Sequence, residues 1–180
     1  MSYELQVYAL SPVRPTPREI LARAGETGLA LEMTPAPGAA SREDDGHWMR
    51  LLLRAVEASR GGFVAETSPD LDRMKDGFRA DRSAGENIPE QVLEAQQLYV
   101  LEIDDEAPAA EEQQAAFAVA AWALASLTEA ILFDPQEEFF ADAESFLAIL
   151  MDEDSGDDEA GEDDLDDGPQ LRVVAPPEHS

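Results

Sequence analysis

The chain has 180 residues, 44% of them hydrophobic, and a formal net charge of −28. That length fits one domain with extensions. The charge argues against a duplex, an RNA strand or an anionic membrane as direct partner, because binding those rests on Lys and Arg, and it leaves cations or basic proteins. Cysteine is absent, which excludes disulfides, zinc-thiolate sites and thiol nucleophiles.

Tyr3–Leu10 alternates and carries Tyr, Val and Leu, so it reads as a strand stopped by Ser11-Pro12. Thr16-Pro17-Arg18-Glu19 is a helix start, with Thr16 as N-cap, Pro17 at the first helical position and Glu19 three residues after the cap. Ile20, Leu21 and Ala24 form one face of this helix, and Leu29–Met33 reads as a second strand. Thr34–Gly46, rich in Pro and Gly, reads as a loop. Trp48, Leu51, Leu52, Ala55 and Val56 are spaced as on a helix, so 47–59 is expected to be helical. Phe63–Thr67 follows as a strand.

The mixed-charge stretch Ser68–Glu86 reads as a long loop that gathers Arg73, Lys75, Arg79 and Arg82. A short helix over Pro89–Gln96 and a strand over Gln97–Ile103 come next, with Pro108 in a turn. Ala109–Leu127 is the longest helix. Glu111 and Glu112 suit the positive end of its dipole, and it is apolar nearly all round, so it belongs inside. Ile131–Phe133 is a short buried strand closed by Asp134-Pro135, and Ala141–Met151 a last helical piece.

Residues 1–151 are expected to form a compact α+β domain, a helix-covered β-sheet, and 152–180 a disordered acidic tail. The tail holds −11 of the net charge, which leaves −17 on the domain. Its segment Asp152–Asp167 has one large apolar residue, Leu165, too little to offset the entropy of ordering. Leu171–Pro177 is a short apolar patch beyond it, able to add to a sheet edge. The N-terminus lacks the features of a signal peptide, and the longest apolar run, Ala115–Leu127, is shorter than the ~20 residues of a span. A cytoplasmic location is therefore expected.

An offset of 68 residues relates Val56–Glu66 to Leu124–Asp134, each a helix end followed by an apolar strand and an acid. The pattern suggests two β-α-β-like halves. Ser2-Tyr3-Glu4-Leu5, Glu86-Asn87-Ile88-Pro89-Glu90, Tyr99–Ile103 and Ile131-Leu132-Phe133-Asp134-Pro135-Gln136 together resemble uncharacterised small bacterial proteins with a Ser-Tyr-Asp-Leu start and a strand ending in Asp-Pro-Gln. One lysine against eleven arginines agrees with a GC-rich bacterial source. The resemblance covers about half the domain and implies an accessory protein, with no activity attached.

No calcium loop is spelled out: registers that place Gly156, Gly161 or Gly168 sixth put Met151 or Gly156 first, or Leu165 third. His47 and His179 build no zinc site, and neither G-x-S-x-G nor a P-loop is present. No catalytic residue, metal ligand or cofactor is therefore assigned. Asp134-Pro135-Gln136 is the best local motif, because functional residues collect after strands in α/β folds; its plainer meaning is a turn. Glu66 is its counterpart in the other half. Trp48, beside His47, is a core residue in the plainer account and a groove residue in the other.

A non-enzymatic acidic protein that engages or neutralises a basic protein is the favoured function, with an immunity-type inhibitor as its form. Trp48, Glu66, Asp134 and Gln136 are its candidate contacts. One alternative is a small-ligand or hydrolytic domain with a pocket near Glu66, Asp134 and Gln136. Another is an accessory scaffold that works through its tail. A contiguous acidic stripe on the domain would favour the first.

Overall fold

The computed structural model describes residues 2–34, 43–58, 61–104 and 111–153. The tail from 154, Pro108 and most of the 34–46 loop lie outside them. The fold is α+β: one antiparallel seven-stranded sheet in the order β2-β3-β4-β5-β1-β6-β7, with five helices. The strands are β1 (Ser2–Ala9), β2 (Leu31–Thr34), β3 (Arg50–Ala55), β4 (Phe63–Ser68), β5 (Gln97–Asp104), β6 (Ile131–Asp134) and β7 (Phe139–Asp142). The helices are α1 (Pro17–Gly25), α2 (Leu71–Ser83), α3 (Glu90–Glu94), α4 (Glu111–Thr128) and α5 (Ala143–Glu153). No described helix is long and apolar enough to cross a membrane.

The two longest strands, β1 and β5, pair along their whole length at the centre. Their first face is apolar, and their second face only toward Tyr8, Leu98 and Val100, so the second face needs cover at that end. On the first face lie Leu5, Val7, Tyr99, Leu101 and the inward residues of β3 and β4, under α1, α4 and α5. α4 buries nearly every side, as its composition requires, from Ala116 to Ala125. Its polar Gln113, 2% exposed, accepts the backbone N–H of Ala55 at 3.2 Å.

The second face carries a smaller core, where Phe78 of α2 meets Tyr8, Phe133 and Phe140 edge-on at 5.4–5.6 Å. Such T-shaped contacts match ring edge to ring face. α3 adds Val92 to this cluster.

α1 starts as its sequence directs. The Thr16 hydroxyl accepts Glu19 N–H, and the Glu19 carboxylate accepts Thr16 N–H at 2.7 Å. Two expectations are corrected. Residues 47–59 form no helix; 50–55 are β3. Leu51, Leu53 and Ala55 point to the core while Arg50, Leu52 and Arg54 point away, which is a period of two. Ser68–Glu86 is mostly α2, because Leu71, Met74 and Phe78 make a narrow apolar stripe that docks on the second face. Its charges pair locally, Arg73 with Asp70 and Arg79 with Asp76. β7, between the Asp134 turn and α5, goes beyond what the sequence signalled.

The internal repeat is half realised. β5 and β6 both run antiparallel to β1, one on each side, so β5-α4-β6 is a β-α-β unit split by β1. The other half has no such helix: β2, β3 and β4 form an antiparallel meander.

Candidate functional site

The sheet register decides which candidate residues meet. Glu66 pairs with Val100, Val100 with Gln6, and Gln6 with Phe133, so these four form one row on the second face. Asp134 follows Phe133 and therefore points to the first face. Glu66 and Asp134 thus lie three strands apart, roughly 14 Å, on opposite faces. The structure brings Asp134 and Gln136 together and leaves Glu66 and Trp48 elsewhere.

Trp48 is core, 2% exposed. It stacks on Tyr99 at 5.5 Å, and its Nε1 donates to the Pro15 carbonyl at 2.7 Å. The Arg14 guanidinium lies 5.7 Å from its ring centroid. Burial pushes the Tyr99 hydroxyl up to about 12, and Arg14 works in the opposite direction by its charge and hydrogen bond. His47 is exposed, and its backbone N–H donates to Asp45.

Asp134 is buried at the end of β6 and fully engaged. Its Oδ1 accepts the N–H groups of Gln136 at 2.9 Å and Glu137 at 3.1 Å, and its Oδ2 accepts the Tyr3 hydroxyl. With its amide oriented to suit its neighbours, Gln136 also donates to Asp134 and to the Glu4 carbonyl at 2.8 Å. The motif is therefore a turn that ties β6 to β1.

Asp134 and Tyr3 sit at one end of a groove of about 740 Å³ between α4, α5 and the ends of β1, β5 and β6. Among the described residues, no group of three or more His, Asp or Glu is placed to hold a metal ion.

Glu66 belongs to a different surface. α2 and α3 cover the second face only over β5, β1, β6 and β7. Over β2, β3 and β4, no described helix covers it. There Thr34, Leu52, Val64, Glu102 and Glu4 line up in one cross-strand row. Glu32 and Arg54 pair in a neighbouring row, and Arg50 faces Glu66 at 3.1 Å. Asp104 stands opposite Ser2.

Gly62 leaves the middle of this corner low: a Cβ there would lie 2.8 Å from the Leu53 carbonyl oxygen. The depression holds about 420 Å³. Five carboxylates from four strands (Glu4, Glu32, Glu66, Glu102 and Asp104) thus surround Leu52 and Val64, with Arg50 and Arg54 on the β3 side.

Two features set the electrostatics of this corner. Glu4 and Glu102 are direct cross-strand partners, and like charges directly opposite destabilise a sheet. A hydrogen-bonded ladder runs down β1: Tyr8 Oη donates to Gln6 Oε1 at 2.6 Å, and Gln6 Nε2 donates to Glu4 Oε1 at 2.6 Å. The ladder holds the Glu4 carboxylate on the Gln6 amide. Burial raises the Tyr8 hydroxyl well above the ordinary tyrosine range, and the Glu4 charge adds to this.

Glu4, Glu32, Glu102 and Asp104 are absent from the candidates drawn from sequence. The available signal was the spacing of Glu102 and Asp104, two residues apart on a strand and so on one face. Compared with known proteins, the chain matches no family model, no curated protein and no solved structure.

Proposed function

We propose that this is a non-enzymatic binding protein that engages a basic protein partner through the open acidic corner of its sheet. The observation that carries it is the contiguous set of carboxylates from β1, β2, β4 and β5 around Leu52 and Val64, on a face without a described helix above it. An apolar centre within a charged rim is the usual anatomy of a protein contact. The corner spans roughly 19 Å by 14 Å, the footprint of one helix or ribbon of a partner. Glu4 opposite Glu102 costs stability, as expected of residues kept for an external cation. Carboxylates so arranged speed encounter and select charge more than they add affinity. An immunity-type inhibitor of a basic protein is the form this function takes.

The test is affinity capture with full-length protein beside Glu102→Lys and Glu66→Lys variants. A basic protein retained near 1:1 by the wild type in moderate salt, and lost by both folded variants, supports the proposal. Equal capture by wild type and variants would place the contact elsewhere, in the tail or on the helical face.

A further inference from the structure

We infer that the groove between α4 and α5 is a binding site for an amphiphilic organic cation: a ligand with an apolar body and one protonated amine. Its walls belong mainly to the first face, and it borders the open acidic corner at Asp104, which lines both.

The walls are apolar. Phe117 and Ala118 come from α4, Phe146, Ile149 and Leu150 from α5, and Leu5 from the sheet. The volume of about 740 Å³ lies within the range of small-molecule sites. Phe139 and Ile149 on its rim are 36% and 41% exposed, large side chains that the fold leaves uncovered.

The polar lining is one-sided. Among the described residues, its charged lining is Asp104, Asp134 and Glu137, all acidic, with no Lys or Arg. Asp134 is held by Tyr3 and the turn, so it shapes the inner end. Among the described residues, the Glu137 carboxylate makes no ion pair. Tyr3 and Phe117 meet edge to face at 5.9 Å in the groove's lining.

The three carboxylates of the lining give the groove a negative field. Such a field concentrates cations and repels anions. A fatty acid of the same shape is disfavoured for the same reason. A second copy of the chain would bring like charge to like charge.

Octylamine, octanoate and octanol are the probes, titrated calorimetrically into the full-length protein. Octylamine should bind 1:1 and about tenfold tighter than octanoate, as attraction and repulsion at partly screened carboxylates require. Ala118→Trp, which fills the groove, should abolish binding, and Glu102→Lys on the other face should leave it unchanged. Hydrogen exchange on the wild type serves if Ala118→Trp fails to fold: octylamine should slow exchange in 146–150 and not in β3 or β4.

Octanoate binding as well as octylamine overturns the proposal. So does multiple-site binding abolished by salt, which marks attraction to the acidic run. A dimer that octylamine does not dissociate, or segment 171–175 protected without ligand, gives the groove to a second copy or to the chain's own terminus. A basic partner captured through the corner while octylamine fails to bind refutes this site alone.

Discussion

Trp48 shows how one side chain divides into two parts with different demands. Its ring needs burial and finds Tyr99; its N–H needs an acceptor and finds the Pro15 carbonyl. Trp48→Ala should therefore lower stability by about 3–5 kcal/mol in urea unfolding, with no separate binding phenotype once the fold is restored at low temperature. Tyr8 and Tyr99 carry the pH dependence at the alkaline end. Both hydroxyls are held neutral by burial, Tyr99 up to about 12. A raised pKa means the unfolded chain loses its protons first. The stability these groups contribute is complete below about pH 10, the ordinary tyrosine value, and falls as pH rises from there toward 12. Absorbance at 295 nm should show these two tyrosines ionising only as the protein unfolds. Ionisation of both in the folded state near pH 10 would contradict their burial.

At the scale of elements, termini and stripes decide more than propensity does. The capping box on α1 satisfies two donors that the helix itself leaves open. Thr16→Ala should cost about 1 kcal/mol, read as a shift of the urea midpoint at unchanged slope. Asp142 caps α5 by accepting Ser145 N–H at 2.7 Å, and its backbone and side-chain hydrogen bonds with Ser145 lower its pKa. Its contribution is present above the ordinary carboxylate value and is lost as pH falls through the lowered one.

α2 hangs on a single residue: Phe78 is its one fully buried side chain. Phe78→Ala should cost about 3–5 kcal/mol and speed amide exchange in α2 well before β5 is affected. Uniform exchange across both would mean that the second face unfolds with the whole sheet. The charge density of 68–86 hid this helix from a sequence reading, because three apolar residues in thirteen look like a loop until a surface exists to receive them.

On the scale of the whole molecule, the described helices cover one face and part of the other, and five carboxylates with Arg50 and Arg54 stand where no described helix lies. Glu102→Lys converts a repulsive cross-strand pair with Glu4 into an attractive one. It should raise stability by about 0.5 kcal/mol while weakening association with a basic partner. A variant that is less stable would show that Glu4 and Glu102 do not interact as the register implies. Both the open corner and the groove lie at the same end of the sheet, with Asp104 lining each.

Much of this was written in the chain itself. β1, α1, β5, α4 and β6 each carry a local signal strong enough to stand alone: alternation, a capping box or an unbroken apolar surface. The acidity and the missing nucleophile, thiol and phosphate-loop motifs restricted the chemistry in the same way. β3 was ambiguous because Leu51-Leu52-Leu53 satisfies both the helical and the strand period, and only pairing with β2 and β4 chose between them. The candidate site depended on tertiary structure almost entirely. Whether Glu66 and Asp134 share a pocket turns on strand register and on which face each position takes. A shift of one residue reverses that face. Strand order set Glu102 beside Glu4, and helix placement left that corner without a described helix above it; neither is encoded by any local run of residues.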